Sequence, residues 1–230
     1  MEQLPNGFTL ELADGAFPLS TDSMVLAHFA KLPRNASVLD LGSGCGTLGL
    51  LLCAKDPFCA VTGLELSGTA HSCALENIRR NGLEHRLKSI CADLRQAGQF
   101  FSPGSFSCCI SNPPYFSGGP ASRNLPTARR EDSCSLKELM TAAARALKYG
   151  GDFYLVHRPE RLGDIIARAA ENGLEAKRLL LVRHRPESDI SIIALQLRKG
   201  GKPGLMIEEA CLNDSFGLPT EFYRDVYHLD

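Results

Sequence analysis

The chain has 230 residues, a formal net charge of −1, 44% hydrophobic residues and 22% charged residues. That is enough for one domain with a full core, and the near-neutral balance excludes a globally basic nucleic-acid binder. The longest apolar stretch, around Leu48 to Ala54, falls far short of the ~20 residues a bilayer-spanning helix needs.

Met1 is followed by Glu2, Pro5 and Asn6, which does not read as a signal peptide. The nine cysteines contain no C-x-x-C pair, and several sit in apolar runs where a thiol behaves as a small hydrophobe. That pattern predicts a reducing cytoplasm and no metal site. Charge is uneven along the chain. Residues 123–202 hold 16 Lys and Arg against 10 Asp and Glu, whereas residues 203–230 hold one Arg against six acids. The basic middle reads either as a phosphate-facing surface or as ordinary solvated faces. With no biased linker and no repeat, the chain is read as a single domain over 1–230. It divides into a lead-in and helix (1–35), a core (36–200) and a C-terminal extension (201–230).

In chain order, residues 1–14 predict a small hairpin or lead-in strand. Ser20, Thr21 and Asp22 are good N-caps, and Met24, Val25, Phe29 and Leu32 recur at helical spacing, predicting a helix over about 22–31 that Pro33 ends. Ser37–Leu41 reads as a strand, followed by a glycine turn and a Leu-rich helix to about Ala54. Cys59–Leu66 is a second strand, followed by a helix from Ser67 or Thr69 to Asn81 that Gly82 stops. Strands over Arg86–Cys91 and Phe106–Ser111 come next. Ser135 caps a helix to Leu147, which Gly150-Gly151 end, and Asp152–His157 is the fifth strand. A helix opened by Pro159 runs to about Asn172. Lys177–Arg183 and Ser191–Leu197, joined by a short turn, read as a hairpin. Five βα units and a hairpin predict an α/β fold. It is a seven-stranded, mostly parallel sheet with one antiparallel strand at its edge and helices on both faces. Ligands in such sheets bind outside the carboxyl ends of the strands, where strand order reverses.

The candidate functional residues all fall at those ends. Asp40-Leu41-Gly42-Ser43-Gly44-Cys45-Gly46 ends the first strand, and its glycines permit a tight turn and close approach of a ligand. Gly44, Gly46 and Gly49 also fit the G-x-G-x-x-G dinucleotide pattern, so a dehydrogenase competes at this point. Glu65, with Leu66 beside it, ends the second strand, where a carboxylate accepts ribose hydroxyls. Asp93, after the third, is placed to accept an exocyclic N–H of adenine, and Leu94 offers the next backbone N–H.

After the fourth strand comes Asn112-Pro113-Pro114-Tyr115. Each proline fixes its own φ and restricts the residue before it, so the turn presents mainly carbonyls. Together with the Asn112 side-chain oxygen these form a clamp for both hydrogens of a planar NH2, with Tyr115 as a flat face. A proline-rich turn with a packed Tyr is the plain alternative.

The set Asp40/Gly42/Gly44/Gly46, Glu65, Asp93 and NPPY resembles the class I S-adenosylmethionine (SAM)-dependent methyltransferases, over about residues 36–200. The resemblance implies a Rossmann-like fold and SAM as cofactor. It places the glycine turn against the methionine part, Glu65 on the ribose and Asp93 on the adenine, with NPPY as the catalytic clamp. Three substrate classes share NPPY: adenine N6 in nucleic acid, guanine N2 in ribosomal RNA, and a glutamine amide in protein.

Further segments extend the resemblance to the whole chain: Phe17-Pro18-Leu19-Ser20-Thr21-Asp22-Ser23, Ala128-Arg129-Arg130-Glu131, Val156 to Leu162, and a C-terminal helix with Tyr223 and Tyr227. With them the chain resembles the bacterial tRNA1(Val) adenine-37 N6-methyltransferase family. That implies a tRNA substrate, an adenine beside the anticodon, and a place at the cofactor cleft for Thr21 and Asp22, whose plain alternative is helix capping. Protein glutamine methylation and a non-catalytic SAM-binding module remain alternatives.

Arg123, Arg129 and Arg130 lie in a Gly/Pro-rich segment beside the motif, and Arg158 follows the fifth strand with His157 and Arg161. All are candidates to hold RNA phosphates. Phe222, Tyr223, Val226 and Tyr227 form an aromatic stripe that reads as core packing.

Overall fold

A computed structural model describes residues 2–4, 7–13, 19–113 and 135–229. Two short strands, β1 (Glu2–Gln3) and β2 (Thr9–Leu10), form the expected antiparallel lead-in hairpin. Helix α1 (Thr21–Phe29) starts where Ser20 Oγ accepts the Ser23 N–H. Then follow β3 (Ser37–Leu41), α2 (Thr47–Lys55), β4 (Ala60–Glu65), α3 (Gly68–Arg80) and β5 (Leu87–Cys91). A short 3-10 turn over Leu94–Gln96 leads into α4 (Ala97–Phe100), and β6 (Phe106–Ser111) comes next. Helix α5 (Leu136–Ala146) is held by a capping box in which Ser135 and Glu138 satisfy each other's backbone N–H. The chain ends with β7 (Leu147–His157), α6 (Leu162–Glu171), β8 (Leu174–Arg183), β9 (Ile190–Lys199), β10 (Met206–Cys211) and α7 (Glu221–Tyr227).

The main sheet has eight strands in the order β10-β8-β9-β7-β6-β3-β4-β5. Only β9 runs against the others, pairing antiparallel with both β7 and β8. The predicted β8–β9 hairpin is present, but two expectations are corrected. The antiparallel strand is not at the edge, because the chain crosses from β7 past β9 to β8. The sheet also gains an eighth strand, since β10 pairs parallel with β8 inside what reads as a plain C-terminal extension.

Gly150-Gly151 do not end a helix either. Helix α5 stops at Ala146, and the two glycines lie within β7, where its register against β6 jumps between Phe106 and Cys108. A Cβ on Gly151 would stand 2.9 Å from the Ser107 carbonyl oxygen, so the close approach of β6 explains the glycine.

The strands are apolar on both sides because both faces are covered. Successive residues alternate between two cores. Val38, Val61, Cys108, Ile110, Tyr154 and Val156 pack with α1, α2 and α3 on one face. Leu39, Leu41, Leu64, Cys109, Phe153 and Leu155 pack with α5 and α6 on the other. Strand order reverses between β3 and β6: the chain runs β3, β4, β5 outward on one side, then returns to β6 and β7 on the other.

Candidate active site at the carboxyl ends of β3, β4 and β6

The reversal point is closed by a side chain. Ser111 Oγ donates to the Leu41 carbonyl at 2.7 Å, joining the last residues of β6 and β3. The next residues are Asn112 on one strand and Gly42 on the other. The glycine turn and the start of NPPY therefore stand side by side, although 70 residues separate them in sequence.

The turn itself is shaped by backbone conformations that L side chains rarely adopt. Gly42, Gly44 and Gly46 have φ of 77°, 55° and 86°, in the left-handed region that favours glycine. The Gly42 and Ser43 N–H groups both donate to the Leu64 carbonyl, at 2.9 and 3.0 Å, which hangs the turn on the end of β4. Gly44 N–H donates to Glu65 Oε2 at 2.7 Å, and Ser67 N–H donates to Glu65 Oε1 at 2.7 Å. Glu65 is thus fixed at the mouth of the turn, with lone pairs left on both oxygens. Leu66 beside it is 53% exposed. The approach of β4 needs Gly63: a Cβ there would lie 2.5 Å from Ser43 Oγ.

Beneath the turn, Asp40 is buried, and neither carboxylate oxygen has a hydrogen-bond partner among the described residues. Burial first, and the Glu65 charge second, push its pKa up to about 8. Asp93 caps the turn after β5 by accepting the Arg95 N–H at 2.9 Å, and the Arg95 guanidinium also grips its carboxylate. Those bonds hold its pKa below the usual range. An adenine amine would share this carboxylate with Arg95. Leu94 begins the 3-10 turn that Asp93 caps.

On the other side of the cleft, Asn112 Nδ2 donates to Ser23 Oγ at 2.9 Å, and Thr21 Oγ1 and the Tyr227 hydroxyl are 2.9 Å apart. Burial pushes the Asp22 carboxyl above its usual range, and the Arg158 charge opposes that shift. The beginning of α1 therefore comes to the motif, and the end of α7 comes to α1. Pro113 follows Asn112. Pro114, Tyr115, Arg123, Arg129 and Arg130 lie outside the described residues.

His157 does not join a solvent surface. It is buried, its Nδ1 accepts the Arg158 N–H at 2.8 Å, and burial lowers its pKa to about 4. Arg161 pairs with Asp164 at 2.6 Å. Among the described residues no group of His, Cys, Asp and Glu is arranged to hold a metal ion.

Three residues that shape the site escape a reading of the sequence: Ser43, Gly63 and Asn77. Asn77 on α3 is fully buried. Its Oδ1 accepts the Glu11 N–H at 2.9 Å, and its Nδ2 donates to the Glu11 and Cys45 carbonyls at 2.8 and 3.0 Å. It thereby clamps the lead-in segment to the glycine turn. A single Asn among the apolar positions of α3 gives no signal of this in one sequence.

SAM carries a sulfonium, an ammonium, a ribose diol and an adenine amine. A cleft holding an unpartnered buried carboxyl, an anchored carboxylate and an open glycine turn fits that donor set. Asp40 and the turn would face the methionine part, Glu65 the ribose and Asp93 the adenine.

The family described as methyltransferase small domain matches residues 19–166. The tRNA1(Val) (adenine(37)-N6)-methyltransferase of Bacteroides fragilis is 31% identical over 175 residues, covering 74% of this chain and 73% of the relative. The enzyme of that name from Photobacterium profundum is 28% identical over 239 residues, covering 97% of this chain and 99% of the relative.

Among solved structures, a predicted O-methyltransferase from Agrobacterium tumefaciens has a TM-score of 0.76 at 21% identity, with 90% of this chain and 96% of that one covered. A geranyl diphosphate C-methyltransferase from Streptomyces coelicolor, solved with S-adenosyl-L-homocysteine, has a TM-score of 0.55 at 11% identity, with 77% and 74% covered. These two likenesses establish the fold. The match across the sheet and the relative above 30% identity establish more: this chain is a SAM-dependent methyltransferase and belongs to the methyltransferase small domain family, together with the tRNA1(Val) (adenine(37)-N6)-methyltransferases.

Proposed function

We propose that the chain transfers the methyl group of SAM to N6 of an adenine in tRNA, at adenine 37 of a valine tRNA as its relatives are named. The observation that carries this is the Ser111–Leu41 bond, which sets Asn112 directly beside the glycine turn. An amine clamp is useful only within reach of the cofactor turn, and these strands bring the two together.

When bound, SAM supplies a methyl group on a sulfonium whose departing thioether is neutral. Asn112 Oδ1 and the Pro113 carbonyl accept the two N6 hydrogens. That draws the nitrogen toward pyramidal geometry and turns its lone pair, otherwise delocalised into the ring, toward the methyl. The N–C bond forms as the S–C bond breaks, and the extra proton on N6 then leaves to solvent. Alignment of this kind can supply much of the rate without a strong base. Tyr115 is proposed to stack on the base, worth ~1–3 kcal/mol, which offsets much of the few kcal/mol needed to extrude it from a stacked loop. Arg123, Arg129, Arg130 and Arg158 are proposed to hold phosphates.

The chain is further proposed to act as a single domain, as a monomer, in the cytoplasm. Its eight described cysteines are all free thiols, as a reducing compartment keeps them.

The test is transfer of labelled methyl from SAM to total tRNA from a strain lacking this protein, followed by nuclease digestion. N6-methyladenosine in a valine tRNA is expected. Label in protein instead of tRNA would replace this reading with glutamine methylation. In the same assay Asn112→Ala should cost about 100-fold or more in rate and leave SAM affinity nearly unchanged.

A further inference from the structure

We infer that Ser23 is a positioning residue for the methyl transfer, acting through the Asn112 amide. The inference rests on the clamp proposed above and adds a residue to it. Asn112 must present its oxygen to the substrate amine, because an NH2 facing an NH2 sets donor against donor. A planar amide turned by 180° makes that error with almost no change of shape. In the orientation seen, the nitrogen end has a partner. Here Nδ2 donates to Ser23 Oγ at 2.9 Å, across 89 residues of sequence.

The Ser23 hydroxyl is itself well placed to hold that proton. Ser23 is 7% exposed, so water competes little for it. It sits in the first turn of α1, where Ser20 Oγ accepts the Ser23 N–H at 3.2 Å and donates to Ser23 Oγ at 3.3 Å. Ser23 Oγ thus receives the hydroxyl hydrogen of Ser20 and an amide hydrogen of Asn112. Helix capping and amide orientation are joined in one network.

Removing the hydroxyl takes away the protein partner that holds the Asn112 NH2 in this orientation. The amide then rotates to find another partner, and its oxygen leaves the clamp. SAM contacts on β3 and β4 are not involved.

The test compares the wild-type protein with Ser23→Ala and Ser23→Thr, measuring kcat, KM for tRNA, the SAM dissociation constant and the melting temperature. Ser23→Ala should lower kcat by about tenfold or more, with KM and SAM affinity within about twofold. Ser23→Thr, which keeps the hydroxyl, should recover most of the rate. Should Ser23→Ala fail to fold, Ser23→Cys, near-isosteric with a weak acceptor, takes its place with the same expectation. A wild-type kcat in the hydroxyl-free variant overturns the inference. So does a loss of kcat that tracks SAM affinity and melting temperature and is not restored by Thr. If the wild-type protein methylates tRNA adenine, either result counts against Ser23 alone. If it makes no methylated amine at all, the clamp and the inference fall together.

Discussion

Asp40 sits under the glycine turn with both oxygens unpartnered among the described residues and the Glu65 carboxylate nearby. Its pKa of about 8 in the folded chain lies well above the ~3.9 of an unfolded Asp. Between those values the folded state holds a proton that the unfolded state has released, so stability falls as pH rises. The slope is about 1.4 kcal/mol per pH unit at full difference, and it flattens above the folded pKa. Asp40→Asn carries no titrating proton. Relative to the wild type it should therefore gain stability steadily from pH 5 to pH 8 in thermal or urea unfolding without cofactor. Parallel wild-type and variant curves over that range would mean Asp40 is ionised in the folded chain. The sequence places Asp40 at a strand end beside a glycine turn. It does not tell that Glu65, 25 residues later, comes close enough to disfavour its charge.

At the scale of elements, α3 does two jobs. It covers the sheet, and through Asn77 it ties the lead-in segment to the glycine turn. Asn77→Ala removes three hydrogen bonds, one buried and two part-buried, and leaves the Cys45 carbonyl and both Glu11 backbone groups without that partner. At ~1–3 kcal/mol for an unsatisfied buried group, a loss of about 3 kcal/mol in urea unfolding is expected, with weaker SAM binding because the turn loses its support. A stability change below about 1 kcal/mol, at the floor of that range, would show that the lead-in segment finds other partners.

Most elements are legible because their signals are local. Ser20, Ser67, Ser135 and Thr220 cap α1, α3, α5 and α7, and the strands at the centre of the sheet are continuous apolar runs. The misread elements depend on distant partners. Nothing within Lys148–Asp152 says that β6 will press on Gly151. Nothing within Met206–Cys211, with its two acids, says that β8 will supply two arginines. The candidate site is legible for the same local reason, as motifs at strand ends. Ser23 as a partner of Asn112 is not, because the contact joins α1 to β6.

The whole molecule resolves the uneven charge of the chain. Part of the basic middle meets the acidic tail: Arg178 pairs with Glu208 at 2.9 Å, and Arg183 with Glu209 at 3.9 Å, each across β8 and β10. Arg178 also lies 4.2 Å from the centre of the Phe29 ring, so its charge is anchored to α1 and not offered to a substrate. Beyond β10, α7 returns to α1, burying Val226, stacking Tyr223 on Tyr227 at 4.4 Å and bringing the Tyr227 hydroxyl to Thr21.

The C-terminal extension thus pairs the outer side of β8 and braces the helix that carries Ser23. Removing residues 202–230 would leave β8 as an open edge, Arg178 without its carboxylate, and the core beside α1 uncovered. Full burial of Val226 alone is worth ~1.5–3 kcal/mol, and the partly buried aromatic stripe adds to it. A loss of about 5 kcal/mol or more is expected, comparable to the total stability of many domains, and the truncated chain should be largely insoluble or unfolded at 37 °C. Tyr227→Phe separates the two roles. It keeps the packing and removes only the hydroxyl at Thr21, so its melting temperature should stay close to that of the wild type while kcat falls. If the truncated chain folds and methylates like the full one, β10 and α7 are an appendage to the sheet and the cleft is complete without them.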